Sequence, residues 1–396
     1  MKIIAAVGVL ASTASVLVGV GFAHAGPLDN PLPVAPGGQF TLAVQGEGDT
    51  GAWIFDISDL NGDGQDDIVM TSFVGGRKPV PLGGPGFTVF MNRTREHGGK
   101  LSFEPRHMNI AESTQGVRIG DLDGDGKPDI AIGWLGGLPG RNSAILRNIT
   151  PKGAPWPIFE KPFMLPSGLL ALPAEMFRIA DINADGKPDL IGVNTVNIEL
   201  DAVSIYMNES KPGHLKFEFT NIPAAFGAQS MIVDDLNGDG KPDLFVTSST
   251  INFQDTLWVN DTPKGAMKPR FIRQTRIIDG IGPSTVEAID LNGDGLKDIV
   301  VGHLYDPRMQ LTVFMNHTAR GSKHVVFGHV THIFSGLANT YLKGDMDLDG
   351  DGKPDLVCTN FGVTNPLGIT LTGIPPVSGS VAVFLNRTPK GSSKPV

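Results

Sequence analysis

The chain repeats itself. The stretch Asp121-Leu122-Asp123-Gly124-Asp125-Gly126-Lys127-Pro128-Asp129-Ile130 has five counterparts, beginning at Asp59, Asp181, Asp235, Asp290 and Asp347. Successive starts lie 62, 60, 54, 55 and 57 residues apart. So steady a period marks a repeat architecture, in which no unit buries its apolar face alone and each packs on its neighbours.

The repeated stretch has the chemistry of a calcium loop. Position 1 is always Asp, position 3 Asp or Asn, position 5 Asp, position 6 Gly and position 9 Asp. Alternate side chains bring oxygens to one point, the glycine permits the sharp turn, and the carbonyl of position 7 adds another oxygen. The candidate ligands are Asp59, Asn61, Asp63, Gln65 and Asp67, then Asp121, Asp123, Asp125, Lys127 and Asp129. The third and fourth copies offer Asp181, Asn183, Asp185, Lys187 and Asp189, and Asp235, Asn237, Asp239, Lys241 and Asp243. The last two offer Asp290, Asn292, Asp294, Leu296 and Asp298, and Asp347, Asp349, Asp351, Lys353 and Asp355. In each set the fourth residue contributes its carbonyl only. Oxygen donors with three or four carboxylates suit a hard cation, calcium before magnesium, and the absence of Cys and His argues against zinc or copper. Up to six calcium ions are expected. An Asx-rich turn without an ion is the alternative for one copy, but a plain turn does not require Asp at all these positions.

The motif opens like an EF-hand loop and does not end like one. An EF-hand needs a bidentate Glu at position 12 and a helix on each side. Position 12 here is Met70, Ile132, Gly192, Val246, Val301 or Cys358, and each loop runs into a short apolar segment such as DIVM or DLFVT that reads as buried strand. Around every loop the same order recurs. A strand enters it, the apolar strand follows, a third ends in Asn (FTVFMN, SAILRN, VSIYMN, TLWVN, LTVFMN, VAVFLN), and a fourth such as LSFEP or PIFEK comes next. Four short strands per repeat describe a propeller blade. The expected fold is all-β, a six-bladed β-propeller of four-stranded blades, with residues 39–396 as a single domain. The sixth repeat stops after its third strand, so Phe40-Thr41-Leu42-Ala43-Val44 is expected to supply the fourth and close the ring, removing two exposed sheet edges.

Each third strand ends in Asn-x-Thr/Ser, at Asn92, Asn148, Asn208, Asn260, Asn316 and Asn386. The pattern is a glycosylation acceptor, but its recurrence at one place in every blade favours a turn between third and fourth strands.

The rest of the sequence bounds the setting. Residues 1–25 carry one lysine, an apolar stretch and then Ala23-His24-Ala25, which fits a secretory signal cleaved after Ala25. Residues 26–38 then form an N-terminal extension. The expectation is a secreted or periplasmic protein with no membrane span in its mature form. Cys358 is the only cysteine, so no internal disulfide can form and bound calcium is the candidate staple. The formal charge of −9 comes from the loops, and six calcium ions would more than offset it. No basic stripe with interleaved aromatics supports nucleic-acid binding.

These residues resemble the FG-GAP/VCBS repeat family, calcium-loop propellers that include the integrin alpha-subunit head and certain lectins. The six D-x-[DN]-x-D-G-x-x-D loops and the Asn ending each third strand carry the resemblance, over roughly residues 40–390. It implies calcium at each loop, an extracytoplasmic location, and adhesion or carbohydrate binding. The chain lacks the consistent Phe-Gly and Gly-Ala-Pro landmarks of integrins, so integrin partners do not carry over.

Loops and Asn turns share one end of each blade. The other end is made of variable connections, where specific recognition can be built. Trp134, Arg141, His303 and Tyr305 stand out there, because aromatics among amides and charges suit sugar or peptide contacts. The expected role is a binding or adhesion module for a carbohydrate or an extracellular protein. The alternative is a secreted polysaccharide lyase or hydrolase using His303, Tyr305 and Arg308 as base, acid and charge clamp, although no nucleophile–base signature stands out.

Overall fold

A computed structural model describes residues 4–12, 15–23, 52–72, 86–98, 101–110, 114–134, 143–165, 174–194, 202–224, 228–248, 255–277, 283–303, 310–334, 339–360 and 380–396. It is a six-bladed β-propeller, with no helix among the described residues. Blade 1 runs through Ala52–Ser58, Asp67–Ser72, Gly86–Asn92 and Phe103–Asn109. Blade 2 follows with Thr114–Gly120, Asp129–Trp134, Ser143–Leu146 and Phe163–Met164, and blade 3 with Ala174–Ala180, Asp189–Asn194, Ala202–Asn208 and Phe217–Pro223. Blade 4 is Ala228–Asp234, Asp243–Ser248, Asp255–Asn260 and Phe271–Ile277; blade 5 is Pro283–Ile289, Asp298–His303, Gln310–Asn316 and Phe327–Phe334. Blade 6 comprises Asn339–Met346, Asp355–Asn360 and Ser380–Phe384. Strands pair antiparallel in chain order within each blade. From blade 1 through blade 6 the first strand of each blade packs on the first strand of the one after it, which places these strands innermost. Separately, Ile4–Ser12 and Ser15–Ala23 pair as a two-stranded hairpin.

Period-two alternation on the second strand explains how blades stack. Ile130 and Ile132 face blade 1, packing with Val69, Phe87 and Val89, while Ala131 between them joins Phe177 and Leu190 of blade 3. A cluster of this kind fills every junction from blades 1/2 to 5/6. Each fully buried branched side chain contributes about 1.5–3 kcal/mol. None spans blades 6 and 1 among the described residues. Val383, on the third strand of blade 6, and Leu385, just past its end, are 47% and 44% exposed, whereas their counterparts Val89 and Met91 are fully buried. The closing strand expected at residues 40–44 lies outside the described residues.

Blade 2 departs from the expected pattern. Its fourth strand was expected at PIFEK, yet Phe159 makes only an isolated bridge to Asn148, and regular pairing is confined to Phe163 and Met164 against Ile145 and Ala144. Pro157 and Pro162 flank Phe159 and supply no backbone donor, so a continuous ladder cannot form.

Candidate metal centres

Each loop is the tight connection between the first and second strands, and each second strand begins at the position-9 aspartate. In the second loop Asp121 Oδ1 accepts the N–H groups of Gly124 and Asp125 at 2.8 and 3.1 Å, and its Oδ2 accepts that of Gly126 at 2.9 Å. Asp123 Oδ1 accepts from Asp125 N, and Asp125 Oδ1 from Lys127 N, both at 3.0 Å. Asp129 closes the loop: Oδ2 accepts from Leu122 N at 3.0 Å and Oδ1 from Asn148 N at 2.8 Å. The backbone thus orients the oxygens, and those that accept a single N–H, such as Asp121 Oδ2, Asp123 Oδ1 and Asp129 Oδ2, keep lone-pair capacity for a cation. Carboxylate oxygens of Asp121, Asp123 and Asp129 lie within 4.8 Å of one another, as do those of Asp347, Asp349 and Asp355.

Electrostatics favours a cation at this point. Burial pushes Asp129, Asp189 and Asp243 up to about 7, and Asp67 and Asp298 up to about 6. Two backbone N–H groups oppose the shift and the other loop aspartates add to it. A bound cation would relieve both burial of charge and mutual repulsion. The donor set therefore fits a hard divalent ion. At position 7 the side chains turn away: Lys187 Nζ donates to Ser210 O at 3.0 Å, Lys241 Nζ to Thr262 O at 2.9 Å, and Gln65 Nε2 to Asn92 O at 3.3 Å. Only the backbone carbonyl is left to face an ion there.

The recurring Asn proves to be an inter-blade staple. The Nδ2 groups of Asn148, Asn208, Asn260, Asn316 and Asn386 donate to the position-2 carbonyls of the preceding blade (Leu60, Leu122, Ile182, Leu236 and Leu291) at 2.7–2.9 Å. Each Oδ1 accepts the N–H two residues on, closing the turn. A turn glycine adds a second link at four junctions, for example Gly153 N to Asn61 O at 2.6 Å. Position 3 adds a third, its choice following the partner: Asn61 Nδ2 donates to Ala154 O at 2.8 Å, whereas Asp123 Oδ2 accepts from Gly213 N at 2.9 Å. These five asparagines are buried. Asn92 is only half-buried, and its Nδ2 donates within blade 1, to Asp66 O at 3.1 Å.

Of the residues singled out on the opposite face, Trp134 and His303 fall among the described residues. Trp134 ends the second strand of blade 2, paired with Thr114. His303 is buried, with Nε2 2.9 Å from Thr312 Oγ1, which meets His332 Nδ1 at 3.3 Å, so its ring turns into blade 5. Arg141, Tyr305 and Arg308 lie outside the described residues. A feature the motif alone underplayed is position 4, where Gly62, Gly124, Gly238, Gly293 and Gly350 adopt φ of 68–79° and Ala184 is forced to 54°.

A family model of the FG-GAP-like repeat matches residues 59–132, 181–246 and 235–301. The chain belongs to the FG-GAP-repeat propellers. This FG-GAP propeller is 28% identical over 207 residues to integrin alpha-V of Gallus gallus, covering 47% of the chain and 20% of that protein. It is 31% identical over 140 residues to the T-cell immunomodulatory protein homolog of Plasmodium yoelii yoelii, covering 31% of the chain and 19% of the relative. The match thus spans about a fifth of each relative's length. Among solved structures the rhamnogalacturonan lyase YesW superposes with a TM-score of 0.41 at 15% identity, over 82% of this chain and 57% of the other. That superposition is too loose to equate individual blades.

Proposed function

We propose that the protein is an exported, calcium-dependent propeller that acts as a binding or adhesion module, its ions holding the scaffold and its variable face meeting the ligand. The observation carrying this reading is the coupling of every metal loop from the first to the fifth blade to the Asn turn of the next. Cations at these loops would be held by the side chains at positions 1, 3, 5 and 9 and the carbonyl of position 7. They would supply the positive charge that buried carboxylates such as Asp129 and Asp243 lack. The chain's own residues do the rest: the position-9 aspartate ties loop to third strand, and the asparagine ties loop to neighbouring blade. A face built on such a ring is rigid, which suits recognition by the connections at the other end. The likeness to integrin alpha-V favours an extracellular protein as partner, with carbohydrate as the second class.

The test is to incubate the secreted chain, with and without calcium, on immobilised extracellular proteins and polysaccharides, reading both retained protein and released sugar. Calcium-dependent retention without release is the expected result. Released product would overturn the binding role in favour of a lyase or hydrolase, and retention indifferent to chelation would separate the ligand face from the loops.

A further inference from the structure

Two of the six loops differ from the rest in a way that the repeat pattern does not require. Loops 2 and 6 have aspartate at position 3, hence four carboxylates, where the others have asparagine and three. In those same two loops an arginine pairs with the position-3 and position-5 carboxylates, from different places in the blade; the arginines at loops 1 and 5 meet backbone carbonyls instead, Arg95 at Asp63 O and Gly64 O and Arg320 at Asp294 O. Arg147, the residue before Asn148, directs Nε to Asp123 Oδ2 and Nη2 to Asp125 Oδ2, the latter at 2.9 Å; its Nη1 reaches Glu160 at 3.0 Å. Arg387, the residue after Asn386, places Nη2 2.5 Å from Asp349 Oδ2 and Nη1 2.6 Å from Asp351 Oδ2. In both cases the guanidinium takes the outer oxygens of positions 3 and 5. The inner Oδ1 atoms stay with the backbone of the loop. Blade 1 shows that an arginine nearby does not suffice: Arg93, one residue after Asn92, turns instead to Glu96, Glu104 and Pro155 O.

We propose that Arg147 and Arg387 are built-in counter-ions that set the metal affinity of loops 2 and 6. Each neutralises the additional carboxylate, so that the four carboxylates of loops 2 and 6 carry with their arginine the same charge of about −3 as the three carboxylates of the other loops. Because the arginine forks bridge positions 3 and 5, loops 2 and 6 also keep their shape when empty. This rests on the reading of the loops as calcium sites. Charge removal acts with different force in the two places. Arg147 is 14% exposed over a fully buried Asp123, whereas Arg387 is 50% exposed and screened by water.

The experiment uses the full secreted chain stripped of metal, titrated with calcium chloride by calorimetry against a competing chelator, with thermal melting in chelator alongside. Arg147→Gln is expected to move one site to roughly tenfold tighter binding while lowering the melting temperature of the metal-free form. Arg387→Gln is expected to tighten one site only about threefold. Adding Asp349→Asn to Arg387→Gln gives loop 6 the side chains of the three-carboxylate loops, and the titration should return to that of the wild type. Arg147→Lys keeps the charge and loses the fork, so it should leave affinity near wild type while still lowering the metal-free melting temperature. Wild-type protein that takes up no calcium would defeat the calcium reading itself. Calcium uptake with every site in Arg147→Gln and Arg387→Gln within twofold of wild type, or weaker, would defeat the counter-ion role alone.

Discussion

Blade 4 buries two carboxylates at opposite ends of one sheet, and burial pushes both up to about 7. Asp243, at the loop end, accepts from Leu236 N at 3.1 Å and Asn260 N at 2.8 Å, with Asp235 and Asp239 close enough to raise it further. Asp255, at the far end, accepts from Ser248 N at 2.9 Å. The same desolvation therefore has two meanings. At the loop end it is concentrated where several oxygens converge, so one cation can answer all of them. At the far end, among the described residues, a single carboxylate carries the penalty without that answer.

Chelation should separate the two ends most sharply. A site held at ten times its dissociation constant adds about 1.4 kcal/mol by linkage, and six such sites on the order of 8 kcal/mol, comparable with the whole stability of a domain. Calorimetry with and without EGTA should show a large fall in melting temperature. An unchanged value would make Asp243 and Asp255 equivalent and dissolve the distinction.

Next in size is Asp243→Asn. The amide can accept from only one of Leu236 N and Asn260 N and turns a donor toward the other, which should lose about 3 kcal/mol in urea denaturation before any lost ligand is counted. Asp255→Asn should do the opposite. Its folded value near 7 lies above the ordinary 3.8, so the folded state binds the proton more tightly and stability falls as pH rises between those values. The asparagine keeps an acceptor for Ser248 N and removes the ionisation. Its melting temperature should match wild type near pH 4, pull ahead through pH 7 and then hold a constant lead. A lead that shrinks with pH would show that ionised Asp255 has a stabilising partner.

How much of this was readable in advance depends on where the information is stored. Loop ligands are side chains at fixed spacing, so Asp121 to Asp129 announce their chemistry locally, and the six-fold period carries the fold. The staple was not readable, because Asn148 and Asn386 bond carbonyls 88 and 95 residues away, and a backbone carbonyl has no sequence signature. The recurrence of Asn-x-Thr/Ser exposed the turn but not its docking. Blade 2 misled at PIFEK because strand composition is visible in apolar residues while the missing donors of Pro157 and Pro162 break the ladder. His303 drew attention as a histidine in a variable segment, yet it sits on the last position of a buried strand, where alternation decides the direction of the ring.

The smallest expected effect compares loop 3 with its counterparts. Ala184 holds position 4 at a φ of 54°, a left-handed conformation in which Cβ crowds the following carbonyl at a cost of about 1–2 kcal/mol. Glycine removes that cost but gains freedom in the unfolded chain, which offsets about 0.4–1 kcal/mol. Ala184→Gly should therefore stabilise the protein by about 0.5–1 kcal/mol in urea denaturation. Gly124→Ala is the mirror experiment, since a Cβ at that position meets nothing within 4 Å and φ is 78°. It should lose a similar amount by conformation alone. Equal and opposite shifts would show that loop 3 is strained only in its backbone; a larger gain at Ala184 would mean that its methyl group also presses on the loop.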